Sequence, residues 1–125
     1  MDIKDLCEKI FDYAEKQGFH EKTFNFGESL MLVVSELSEA LEADREGKPF
    51  EPNKTTSILW KLPDPEKISS DDYEAHIRGS VAEEIADAII RLCHLAERTG
   101  IDLEWHIKAK MAYNETRPKK HGKKY

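Results

Sequence analysis

The sequence predicts an all-α fold, a four-helix bundle-like arrangement. Three observations predict it. Apolar residues recur at helical spacing in four segments, glycine or proline closes each segment, and no stretch shows the two-residue alternation of a half-buried strand. With 125 residues, 39% hydrophobic and 35% charged, the chain suits one helical domain with a real core. The domain is expected over residues 1–118, followed by a basic C-terminal tail at 119–125.

The first helix rests on Ile3, Leu6, Cys7, Ile10 and Ala14, and Gly18 ends it. Phe19 to Gly27 is a connection of aromatic and polar residues. The second helix is expected from about Glu28 to Glu46, with Leu30, Val33, Val34, Leu37 and Leu41 as its stripe and Gly47 as its stop. Lys48 to Ser70 has no sustained period and holds four of the five prolines, Pro49, Pro52, Pro63 and Pro65. It is a long proline-rich loop between helices 2 and 3, of a length that is often functional. Trp60, with Ile58, Leu59 and Leu62, either pins this loop to the core or walls a ring-shaped ligand; the first is the simpler reading.

Ser69, Ser70 and Asp71 offer caps for a third helix running to about Arg98 and stopping at Gly100. Its stripe is Ile77, Val81, Ile85, Ala88, Ile89, Leu92 and Ala96. Asp102 caps the fourth helix, Leu103, Ile107 and Met111 face inward, and Pro118 closes it.

A net charge of −6 argues against a chain built to coat nucleic acid. The one basic run is Arg117 to Lys124; a solvated terminus explains it more simply than phosphate contacts to a polymer. No apolar stretch approaches membrane-spanning length, and Met1-Asp2-Ile3-Lys4-Asp5 does not open a signal peptide, so the cytoplasm is expected. Cys7 and Cys93 fall at apolar helical positions, which suits buried reduced thiols better than a disulfide.

Two acidic pairs carry the chemistry: Glu36-Leu-Ser-Glu39 and Glu84-Ile-Ala-Asp87. The i, i+3 spacing puts both carboxylates of a pair on one helix face. Leu32, Val33, Ala40 and Ala43 surround Glu36 at helical offsets; Ile77, Val81, Ala88 and Leu95 surround Glu84. Two helices packed by those stripes bring up to four carboxylates together. Such a cluster repels itself unless protons or a cation neutralise it, and all-oxygen ligands suit Mg²⁺ or Mn²⁺. Iron chemistry of the di-iron bundle kind requires Glu-x-x-His, which does not occur here. Lys110, Asn114 and Arg117 form a polar stripe on the fourth helix. A lysine and an arginine neutralise phosphate oxygens, so cations beside a magnesium cluster meet the needs of a nucleoside triphosphate site.

The ordered set Glu36-x-x-Glu39, then Ala-Glu-Glu84-Ile-Ala-Asp87-Ala, Gly100-Ile-Asp-Leu-Glu104, and Lys110-x-x-x-Asn114-x-x-Arg117-Pro118 resembles the MazG-type all-α nucleoside triphosphate pyrophosphohydrolases, from about Phe24 to Pro118. The resemblance implies Mg²⁺-dependent hydrolysis between the α and β phosphates, giving a nucleoside monophosphate and pyrophosphate. It implies Glu36, Glu39, Glu84 and Asp87 as metal ligands, and Lys110, Asn114 and Arg117 as phosphate or sugar contacts. It also implies a homodimer or a dimer of dimers.

Two departures stand out. Ser35 occupies the first position of a motif that is often Glu-Glu-x-x-Glu, and residues 48–70 exceed the connection of compact members. Glu83 offers compensation as a supporting group or as the catalytic base beside Glu84, against the alternative of a solvent-facing side chain. Phe24 either stacks on a base or staples the second helix. The competing function is a non-catalytic helical module that binds a metal or a partner.

Overall fold

The computed structural model describes residues 1–52 and 64–124, so Ile58, Leu59, Trp60 and Leu62 lie outside the described residues. Within them the chain is all-helical: α1 is Ile3–Lys16, α2 Phe26–Arg45, α3 Ser70–His76, α4 Val81–Thr99 and α5 Leu103–Glu115. Short 3-10 turns lie at Pro65–Lys67 and Lys119–Gly122. No described helix is long and apolar enough to cross a membrane.

Each helix starts at a side-chain cap. Asp2 accepts from the Asp5 N–H at 2.8 Å, Asn25 from Glu28 at 2.9 Å, Ser69 from Asp72 at 3.1 Å and Asp102 from Trp105 at 3.0 Å. The stops expected at Gly18, Gly47 and Gly100 are all present. The residue after each glycine donates to a carbonyl five back: Phe19 to Ala14, Lys48 to Ala43, Ile101 to Ala96.

The expected third helix is instead two helices, α3 and α4, broken at Ile77 to Ser80. Gly79 has φ +74, a conformation that costs an L side chain, and a Cβ there would meet Lys48 Nζ at 3.2 Å. Ser80 then starts α4 afresh. Its hydroxyl accepts from the Glu83 N–H at 3.1 Å, while a Glu83 carboxylate oxygen accepts from the Gly79 N–H at 2.9 Å. This reciprocal arrangement satisfies two N–H groups that a helix start leaves unpaired.

The chain divides into two compact units: Met1–Phe24 with Cys93–Tyr125, and Asn25–Leu92. In the first, Cys7 and Ala14 of α1 and Cys93, Leu95 and Ala96 of α4 are buried. Phe11 packs at 4.5 Å from the His20 ring, and His20 stacks at 5.0 Å on His94 with an Nε2 to Nε2 hydrogen bond of 2.7 Å. Both cysteines are free and buried, and burial together with Cys93 pushes the Cys7 thiol up to about 12.

In the second unit α2 runs antiparallel to α4. Ala40 and Ala43 form one buried cluster with Val81, Glu36 reaches Arg91 and Lys48 donates to the Gly79 carbonyl at 3.2 Å. The buried face of α2 is Val33, Glu36, Ala40 and Ala43, and that of α4 in this unit is Val81, Glu84 and Ala88. The expected stripes are thus only partly buried. Val34, Leu37 and Leu41 are half exposed, as are Ile85 and Ile89. The reason is size: small residues at the contact allow helix axes to approach toward the short end of the roughly 8–10 Å range. The large apolar residues flank that contact. Met111 of α5 is likewise exposed rather than inward-facing.

Candidate metal centre

The site is built on the facing surfaces of α2 and α4. Glu36 lies one turn before Ala40 and Glu84 lies three residues after Val81, so packing of the small residues carries both glutamates into the interior. Glu36 is 7% exposed and Glu84 9%, while Glu39 stands at the open edge. One carboxylate oxygen from each of Glu36, Glu39 and Glu84 falls within 4.8 Å of the others. Asp87 lies on the same face of α4, half-buried, one turn beyond Glu84.

Three carboxylates this close cannot all remain ionised in a half-dry setting without a compensating charge. The consequence appears at Glu84. Burial, reinforced by its hydrogen bonds and proximity to Glu39 and Glu36, raises its carboxyl to about 7. Burial and the Glu36 carboxylate also raise Asp87, against the pull of Arg91. The raised carboxyl of Glu84 is how the fold relieves the repulsion within the cluster. The donor set is all oxygen, which matches a hard divalent ion.

Two residues that sequence reading did not single out border the cluster. Arg91 Nε donates to Glu36 Oε1 at 2.6 Å, the one ion pair among the described residues that reaches a buried carboxylate of the cluster. Tyr73 of α3 has its hydroxyl pushed up by burial and by the negative charges of Glu83 and Asp87. A weak signal for Arg91 existed: it follows Asp87 by four residues and Glu84 by seven, on one helix face. Tyr73 carried no such signal.

The remaining candidates divide as follows. Glu83 is half-buried and its carboxylate holds the Gly79 N–H at the start of α4. Ser35 is exposed and donates to the Leu32 carbonyl at 2.7 Å. Met31, Val34, Ser35, Ser38, Glu39 and Glu42 line an open groove of about 540 Å³ along α2, so Glu39 joins the cluster to a surface depression.

Lys110, Asn114 and Arg117 belong to the first unit. Lys110 and Arg117 converge on one ring: Lys110 Nζ is 5.0 Å and Arg117 Cζ 5.5 Å from the Tyr113 centroid. Asn114 Oδ1 is buried with no hydrogen-bond partner among the described residues, a costly state for an acceptor. Phe24, also in the first unit, carries the Arg98 guanidinium over its face at 4.5 Å. The tail makes its 3-10 turn with Lys120 at φ +58.

No family model, curated protein or solved structure matches this chain.

Proposed function

We propose that the protein is a Mg²⁺-dependent nucleoside triphosphate pyrophosphohydrolase, splitting an NTP or dNTP between its α and β phosphates into a nucleoside monophosphate and pyrophosphate. One observation carries the reading: oxygens of Glu36, Glu39 and Glu84 lie within 4.8 Å of one another, two of the three residues being buried. Burying like charges is costly, and a helical protein with only structural needs would fill those positions with apolar side chains. The MazG-type order of motifs supports the same reading.

Glu36, Glu39, Glu84 and Asp87 would hold Mg²⁺, with Mn²⁺ as an alternative of the same ligand chemistry. Held there, such an ion would supply charge neutralisation for the phosphates and Lewis-acid activation of a water. The protein's own residues do the rest. Glu84, whose carboxyl is raised to about 7 in the metal-free fold by burial and by Glu39 and Glu36, would give up its proton as the cation binds and is proposed to take part in catalysis as well as ligation. Glu83, the candidate supporting group or base, accepts from the Gly79 N–H at the first turn of α4 and so would hold Glu84 in place. Lys110 and Arg117 are the proposed contacts to the departing pyrophosphate, and the unsatisfied Asn114 Oδ1 is an acceptor suited to a sugar hydroxyl. Phe24 is the proposed platform for the base. No covalent intermediate is required.

The active species is proposed to be a homodimer or a dimer of dimers. Met31, Val34, Leu37 and Leu41 of α2 leave 50–62% of their surface exposed, an apolar stripe suited to a second copy.

The test is product analysis by ion-exchange chromatography after incubation with Mg²⁺ and a panel of NTPs and dNTPs. Monophosphate plus pyrophosphate, lost in Glu84→Gln, is the expected result. Diphosphate plus phosphate overturns the reaction. No turnover, with metal still stabilising the fold, favours the metal-binding module instead.

A further inference from the structure

The carboxylate cluster has a cation of its own. Arg91 shares a face of α4 with Glu84 and Asp87 and donates from Nε to Glu36 Oε1 at 2.6 Å. The pair is lopsided: the Glu36 side chain is 10% exposed and the Arg91 side chain 42%. Arg91 makes no other hydrogen bond among the described residues, so among these its Nη1 and Nη2 N–H groups have no partner. A guanidinium is rigid and planar, so fixing Nε fixes the plane in which those donors lie. It stands one side chain away from carboxylates that would hold a divalent ion.

A permanent positive charge at that position repels a bare cation. It also ties up a carboxylate that the cation needs. The same charge favours a cation that arrives carrying phosphate oxygens, because the open donors match phosphate geometry. Resting on the reading of Glu36, Glu39, Glu84 and Asp87 as a cation site, we propose that Arg91 is a polyphosphate-contacting residue, so that the acid cluster selects a metal–polyphosphate complex over the free metal. This places one phosphate-binding cation in the same compact unit as the metal ligands, whereas Lys110 and Arg117 belong to the other.

The competing role is a structural clamp that merely orients Glu36. The two roles make opposite predictions for the free ion. The experiment is isothermal titration of the full chain and its Arg91→Gln and Arg91→Lys variants, first with Mn²⁺ alone and then with Mg²⁺–tripolyphosphate, the inorganic compound. Folding is checked by the melting curve of each variant. Arg91→Gln is expected to bind Mn²⁺ as tightly as the parent or more tightly, while its affinity for Mg²⁺–tripolyphosphate falls by about tenfold or more, the usual effect of losing charge-assisted hydrogen bonds. Arg91→Lys, which keeps the charge but not the fork, should recover part of that loss. Unchanged tripolyphosphate affinity in Arg91→Gln overturns the proposal, and so does a joint loss of Mn²⁺ and tripolyphosphate, the signature of a clamp. If Arg91→Gln does not fold, Arg91→Lys decides alone: a parent-like tripolyphosphate affinity, or a parallel weakening for Mn²⁺, overturns it. A parent that shows the expected binding but hydrolyses no nucleotide removes the pyrophosphohydrolase reading and leaves Arg91 assigned. A parent that binds neither probe removes both.

Discussion

Glu84→Gln is expected to stabilise the metal-free protein at alkaline pH while removing its response to metal. In the fold the Glu84 carboxyl holds its proton up to about 7, against an ordinary value of 4.5, because it is buried beside Glu39 and Glu36. The unfolded chain releases that proton near the ordinary value. The folded state therefore binds more protons than the unfolded state between those limits, and its stability falls as pH rises through them. The contribution is fully present below about 4.5 and lost above about 7, and it corresponds to roughly 3 kcal/mol at most. The figure is an upper one because neighbouring carboxylates share the proton. Glutamine cannot ionise, so the variant escapes the loss. Urea denaturation in EDTA from pH 4.5 to 8.5 measures it. The two proteins should coincide at the acid end, and the variant should be more stable by up to about 3 kcal/mol at the alkaline end. Saturating Mg²⁺ should close most of that gap. At a hundred times its dissociation constant it adds about 2.7 kcal/mol to the parent, and little to a variant lacking one ligand. Parallel pH curves, or a variant less stable than the parent at pH 8 in EDTA, refute the clustering of charge on which the site rests.

Other expectations follow from the same geometry. Gly79→Ala should destabilise by about 1–2 kcal/mol in urea melts, because its φ of +74 strains any L side chain. A neutral result means the α3–α4 break relaxes without cost. The Cys7 thiol, pushed up to about 12, should resist Ellman's reagent at pH 8 in the native protein and react once denaturant is added. Rapid native labelling of Cys7 contradicts its burial. Leu37→Asp should shift the sedimentation coefficient from dimer to monomer with little loss of monomer stability, since Leu37 is 51% exposed. A parent that sediments as a monomer removes the proposed assembly.

The acidic pairs were legible because two signals coincided: i, i+3 spacing and small or apolar neighbours at Val33, Ala40, Val81 and Ala88. Those neighbours became the helix contact that buries Glu36 and Glu84. The helix stops at Gly18, Gly47 and Gly100 were legible because a glycine after an amphipathic run has a local physical role that no distant residue overrides. The break at Gly79 was hidden by a period that continues from Ile77 through Val81 across it. Its cap, Ser80-x-x-Glu83, lies inside that continuous period. The inward assignment of Leu37, Leu41, Ile85 and Ile89 failed because periodicity reports which residues share a stripe, and not which side of a wide stripe meets the partner helix. Arg91 carried only the weak signal of its spacing from Glu84 and Asp87. Its partner Glu36 is 55 residues away, and spacing on α4 alone does not point to it.

The fresh start of α4 at Ser80 has a consequence for how such a chain can vary. Residues of one continuous helix are geared together: each insertion rotates everything beyond it by about 100°. Had α3 run unbroken into α4, a single added residue between Ser70 and Gly79 would have turned Glu84 and Asp87 away from α2. The interruption acts as a slip coupling. The rotation of α4 is set by the Ser80–Glu83 cap and by the seating of Val81 against Ala40 and Ala43, and not by the number of residues that precede it. A residue added between Ser70 and Gly79 therefore leaves the two acidic pairs in alignment.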